Sequence, residues 1–147
     1  MGRAHAERLT FLEAHLELVA QRDDLCIERI TLYNQLGNYE KARELIAARK
    51  FHPWEGGEGK VTGQYILCRV ELAKKAIKEK RYLEAISLLK ETDHYPHNLG
   101  EGKLINAEEN EVDYYKGIAY QKLGNEAESI KYLMKATQGS SEPQQAF

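Results

Sequence analysis

The sequence predicts an all-α fold built from repeated helix pairs, and three observations carry that prediction. The hexapeptide YNQLGN begins at Tyr33 and YQKLGN begins at Tyr120, 87 residues later (120 − 33). The octapeptide PWEGGEGK begins at Pro53 and PHNLGEGK at Pro96, 43 residues apart (96 − 53), half of the first offset to within a residue. Between these landmarks apolar residues recur at the three-and-four spacing of one helix face, without the sustained alternation of a strand. The expected architecture is three antiparallel helix pairs behind one N-terminal helix, about seven helices in all. They form a single domain over residues 1–138, and 139–147 is expected to be a polar, disordered tail.

Leu9, Leu12, Leu16 and Val19 give a first helix over 7–21 its apolar stripe. Arg22-Asp23-Asp24 interrupts the stripe, and either aspartate is a candidate cap for the next helix. That helix stops at Gly37-Asn38, because glycine just past a helix end adopts the left-handed conformation without a Cβ clash. Ala42, Leu45 and Ile46 line its partner and close a first pair over 23–50. Phe51 to Lys60 is rich in proline and glycine and reads as a loop. Thr62 is the candidate cap of a helix carrying Ile66, Val70, Ala73 and Ile77, with Ala85, Ile86 and Leu89 facing inward on its partner. This second pair spans 62–92, and KEKRYLEA (Lys78 to Ala85) fills the role of its turn without a glycine. After a second loop from His94 to Ile105, Asn106 with Glu109 resembles a capping box. Val112, Tyr115, Ile118 and Ala119 stripe a helix ending at Gly124, and Glu126 to Thr137 completes a third pair over 107–137.

Composition narrows the function. The chain has 147 residues, 42% hydrophobic and 30% charged, with a formal net charge of −2. That balance gives no electrostatic reason to expect nucleic acid or an anionic membrane as partner. No apolar run approaches the roughly 18 residues of a membrane span, and the polar start at Met1 to Thr10 does not read as a secretory signal. Cys26 and Cys68 lie among apolar residues in predicted helices, so they are expected as buried thiols in a reducing cytoplasm. Two isolated cysteines lack the clustered spacing of a zinc site.

With small residues where paired helices meet, glycine in the turn and aromatics around it, the chain resembles the tetratricopeptide repeat family. The first repeat supplies Tyr33, Gly37, Tyr39 and Ala42 in those roles, with Ile30 where the family wants a small residue. The second supplies Ala73, Tyr82 and Ala85, with Ala76 and Lys80 replacing the aromatic and the glycine. The third supplies Gly117, Tyr120, Gly124 and Ser129, with Glu126 replacing the aromatic. The family's plain period is about 34 residues, and here lengthened connectors between repeats extend it. The stretches Phe51 to Tyr65, Tyr95 to Lys103 and Arg22 to Ala42 resemble the C-terminal repeat region of large bacterial proteins carrying domain of unknown function 5107. The resemblance implies a superhelix of stacked hairpins, a fragment of a larger bacterial protein, and an interaction module rather than an enzyme. Family members are associated with carbohydrate utilisation, so the alternative is an accessory part of a carbohydrate-active enzyme whose glycine-rich loops help complete a sugar site on the parent.

The candidate site residues follow from this frame. The two GEGK loops lack the glycine and hydroxyl spacing of a phosphate loop, so no nucleotide or other cofactor is expected. Their exposed side chains Trp54, Glu55, Glu58 and Lys60, and His97, Asn98, Glu101 and Lys103, are candidate interaction residues. Trp54, the only tryptophan, sits in a polar loop and suits a docking anchor or a sugar-stacking ring. Glu71, Lys74, Tyr114 and Tyr115 are the candidate groove, while Ile27, Thr31, Val70 and Ile118 occupy its remaining clamp positions without a basic group. His94 and His97 have H-x-x-H spacing but flank a proline in a loop, so no metal is expected. No Ser-His-Asp or Cys-His set stands out, and no catalytic residue is assigned. The expected partners are proteins: other domains of the parent chain, or a second copy through the apolar N-terminal helix with Phe11 and Leu18. Carbohydrate is expected only together with the parent.

Overall fold

The computed structural model describes residues 2–52, 60–94 and 108–145, with side chains of the last two helices described from Glu109 to Thr137. Over these residues the protein is all-α, with eight α-helices, one short 3-10 helix and no strand. In order they are α1 (Gly2–Glu13), α2 (Leu16–Gln21), α3 (Asp23–Gln35), α4 (Tyr39–Ala47), α5 (Lys60–Lys78), α6 (Tyr82–Lys90), the 3-10 helix Glu91–Asp93, α7 (Glu108–Leu123) and α8 (Glu126–Gln145). The described residues form two compact units. One runs to Cys68, the other takes Arg69–His94 with α7 and α8, and the boundary falls inside α5.

Three boundaries differ from expectation. The helix expected over 7–21 starts at Gly2 and breaks at Ala14-His15. There the His15 amide bonds Leu12 O at 3.0 Å, tightening the last turn, and His15 Nδ1–H donates to Phe11 O at 2.8 Å. The break turns Leu16 outward, so Leu12 and Val19 are buried while Phe11, Leu16 and Leu18 are about half exposed. Thr62 lies inside the first turn of α5 and is buried, so it does not cap that helix. The last helix runs on to Gln145 rather than ending at Thr137. Asn106 lies outside the described residues.

The three helix-to-helix turns share one conformation. Gly37 has φ 86°, Gly124 has φ 85°, and Lys80 adopts φ 66°, the only non-glycine with positive φ among the described residues. In each, the residue after the left-handed one donates its amide across the turn: Asn38 to Tyr33 O at 2.8 Å, Arg81 to Ala76 O at 2.7 Å, and Asn125 to Tyr120 O at 2.9 Å. This wrap satisfies carbonyls that the helix end would otherwise orphan. Asn38 and Asn125 then serve the following helix, their side chains accepting from the amides of Lys41 and Glu128.

In the first unit α1 and α2 pack on α3, and α3 on α4. Arg8 grips Glu28 through two bonds of 2.6 and 2.8 Å, Arg29 pairs with Glu13 at 2.8 Å, and the Tyr33 hydroxyl donates to the same Glu13. Neither aspartate caps α3; its N-cap residue is Arg22, without a side-chain cap bond. Asp23 instead accepts from Arg49 Nε at 2.8 Å and from the His52 amide at 2.8 Å, while Arg49 also donates to Ala20 O at 2.9 Å. These bonds hold the chain leaving α4 against the start of α3, the far end of an antiparallel hairpin. Phe51, expected as the first loop residue, is buried there.

In the second unit α6 packs on α7, and α7 on α8. Residues successively earlier in α7 meet residues successively later in α8: Tyr120 stacks on Tyr132 with ring centroids 5.7 Å apart, and Gly117 abuts Leu133. A Cβ at Gly117 would lie 2.6 Å from Leu133 Cγ, so only glycine permits this approach. Ala73 and Ala85, expected as small residues where helices meet, are fully buried, as are Ala119 and, in the first unit, Ala42.

Candidate functional site

The groove residues singled out from sequence come together in the second unit. Glu71 and Lys74 stand one turn apart on α5, so a helical spacing of three puts both on one face. Lys74 Nζ donates to Glu71 Oε2 at 3.0 Å and lies 5.5 Å from the centre of the Tyr115 ring on α7. Tyr114 meets Tyr115 edge to face with centroids 5.0 Å apart, and it is about half exposed. The hydrogen bond to Glu71 is the main cause that holds the Lys74 ammonium above its usual pKa, with Tyr115 and the exposed Glu111 adding to it. The result is a fixed ammonium beside an aromatic pair, rimmed by two carboxylates. It can offer cation, carboxylate and ring contacts to a peptide.

The remaining candidates fall outside this cluster. Lys60 is the exposed first residue of α5. Trp54, Glu55, Glu58, His97, Asn98, Glu101 and Lys103 lie outside the described residues. Of the clamp positions, Ile27 and Val70 are buried and line no groove. Thr31 is half-buried, and its hydroxyl donates to Ile27 O at 2.8 Å.

A second cluster in the same unit escaped the sequence reading. Lys116, only 3% exposed, donates to both Asp93 oxygens at 2.9 and 3.1 Å, and its Nζ lies 5.1 Å from the Tyr132 ring centre. Lys131 and Lys135 each stand 5.3 Å from that same ring, and Tyr120, the stacked partner, is the main cause that raises the Lys90 ammonium above its usual pKa. Asp113 is pushed above the usual carboxylate range chiefly by burial, which Lys135 and Lys116 partly offset. Arg69, 8% exposed, pairs with Glu91 at 2.8 Å. Asp93 and Glu91 both belong to the 3-10 helix, so its carboxylates reach back to α7 and α5 respectively. The available signal was Tyr120 itself, which repeats Tyr33, a residue likewise engaged by Glu13 and by the Arg29 guanidinium at 5.8 Å.

Cys26 and Cys68 are free and buried, and burial pushes the Cys26 thiol up, away from the reactive thiolate. Among the described residues no three His, Cys, Asp or Glu side chains gather to hold a metal, and no helix is long and apolar enough to cross a membrane. No family model and no solved structure matches the chain.

Proposed function

We propose that this chain is a helical-repeat interaction module of the tetratricopeptide type, one that packs against other domains of a longer bacterial protein or against a second copy, without a catalytic role of its own. One observation carries the reading: the same helix–turn–helix closure recurs at Gly37, Lys80 and Gly124. Repetition of a single supersecondary unit is how helical arrays build extended binding surfaces. The Lys74–Tyr115 cluster supports a contact role, because it joins side chains from two helices with Tyr114 left accessible. The half-exposed Phe11, Leu16 and Leu18 support a second contact at α1 and α2, since a soluble array needs polar faces on its end helices. Two buried free thiols suit a reducing compartment, the cytoplasm.

The test is to identify protein neighbours by crosslinking in cells, purify them, and titrate each against the chain and a Lys74→Ala/Tyr114→Ala variant. The expected result is a protein partner whose affinity falls roughly tenfold in the variant at unchanged helicity. Partners that all bind both forms alike, or glycoside hydrolysis by the purified chain, would overturn the reading.

A further inference from the structure

The helices that follow the two turns of the second unit, α6 and α8, can be compared position by position from those turns. Ile86 lies six residues after Lys80 (86 − 80), and Ile130 lies six after Gly124 (130 − 124). Ile86 is 6% exposed, whereas Ile130 is 51% exposed. Leu89 and Leu133 correspond in the same way, and the first is fully buried while the second is only half-buried. The difference is the neighbour that follows. α7 packs on α6, whereas α8 packs on α7 and presents its next face uncovered among the described residues. Met134, one turn beyond Ile130, is 54% exposed and extends that apolar strip.

Two lysines flank the strip, beyond a first turn that carries Glu126 and Glu128. Lys131 and Lys135 follow Ile130 and Met134 directly, their ammonium groups gathered at Tyr132, and neither forms an ion pair among the described residues.

We infer that the outer face of α8 binds an acidic amphipathic helix of a partner protein. The partner's apolar stripe covers Ile130 and Met134, and its flanking carboxylates meet Lys131 and Lys135. Burial of the apolar strip supplies the attraction, and the lysines select the sign of the partner's charge. This inference rests on the interaction-module reading and gives the chemistry of one partner.

The experiment uses the full chain and two labelled synthetic helices, one with leucines on one face flanked by glutamates, the other with lysines in place of the glutamates. The glutamate helix is expected to bind at least roughly tenfold more tightly than its twin. Ile130→Ser should weaken it by roughly tenfold with an unchanged melting curve, because the side chain it removes is already half exposed. The Lys131→Glu/Lys135→Glu variant should reverse the preference, which keeps the test informative if the serine variant is destabilised. Equal binding of the twins, a serine variant that binds like the parent, or exclusion of both helices by a second copy seated on Ile130 would each overturn the inference. Loss of this site with the Lys74/Tyr114 effect intact removes α8 alone, whereas loss of both removes the interaction reading.

Discussion

Lys80 holds the turn position between α5 and α6 that Gly124 holds between α7 and α8, with φ of 66° against 85° and the same amide wrap behind it. A side chain in this region brings its Cβ toward the following carbonyl, at a cost of about 1–2 kcal/mol that glycine avoids. The second repeat therefore carries strain that the other two lack.

Replacing Lys80 by glycine should raise the unfolding free energy by ~1 kcal/mol, the relief of strain being partly offset by a more flexible unfolded chain. Gly37→Ala, at a site with open space around it, should lower stability by a similar amount through its φ alone. Denaturant melts of the two variants measure both signs. A destabilised Lys80→Gly would show that the lysine side chain makes a contact outweighing its strain.

Two other glycines should respond oppositely to alanine. Gly117→Ala forces a Cβ to within 2.6 Å of Leu133 Cγ and should cost about 1–3 kcal/mol as α7 and α8 are pushed apart. Gly63 lies inside α5 with nothing near its missing Cβ, so Gly63→Ala should stabilise by up to ~1 kcal/mol. Thermal unfolding of the pair distinguishes close packing from helix propensity.

The Lys116–Asp93 pair is buried at one end only, with side-chain exposures of 3% and 46%. Asp93→Ala would leave the buried ammonium with the Tyr132 ring and only the Coulomb attraction of Asp113, costing ~2 kcal/mol after discounting for the exposed end. Lys116→Met removes the buried charge itself and fills the same space, so it should cost clearly less. Chemical denaturation of the two variants reads the difference, and a costlier Lys116→Met would show that the pair is a net stabiliser.

Acid should affect the two units with opposite signs. The bond from Arg8 is the main cause that holds the Glu28 carboxyl below its usual range, so its contribution is present at neutral pH and is lost as pH falls through that depressed value. Burial instead raises Asp113, so the folded state prefers its protonated form. The cost of its charge appears as pH rises through the folded pKa. Glu28→Gln should therefore melt below the parent at neutral pH and Asp113→Asn above it, with both differences shrinking toward about pH 3. Melting temperatures across that range check the signs.

Much of the helical layout was legible because its determinants are local. Gly37-Asn38 and Gly124-Asn125 announce helix stops within a few residues, and the stripes through Ile66, Val70 and Ala73 and through Ala85, Ile86 and Leu89 mark faces that are indeed buried. The first helix was misread where a local rule met a tertiary one. Leu16 continues the apolar spacing in sequence, but the break at His15 rotates it to the surface. Asp23 looked like a cap by position, yet its carboxylate is taken by Arg49 and the His52 amide. Of the candidate groove, Glu71 and Lys74 could be paired from helix spacing alone, and the Tyr115 ring above Lys74 could not.

What the sequence by itself determined is the all-α class, the three hairpin turns and the small residues at close contacts, since backbone sterics and apolar periodicity act over one or two helical turns. Only the tertiary structure decided which charges pair, as between Arg69 and Glu91 or Lys116 and Asp93, because these partners stand on different elements and meet only when helices pack. It also decided that Ile86 is covered and Ile130 is not. An isoleucine at the same place after each turn does not by itself announce its burial, which depends on whether another helix lies across it.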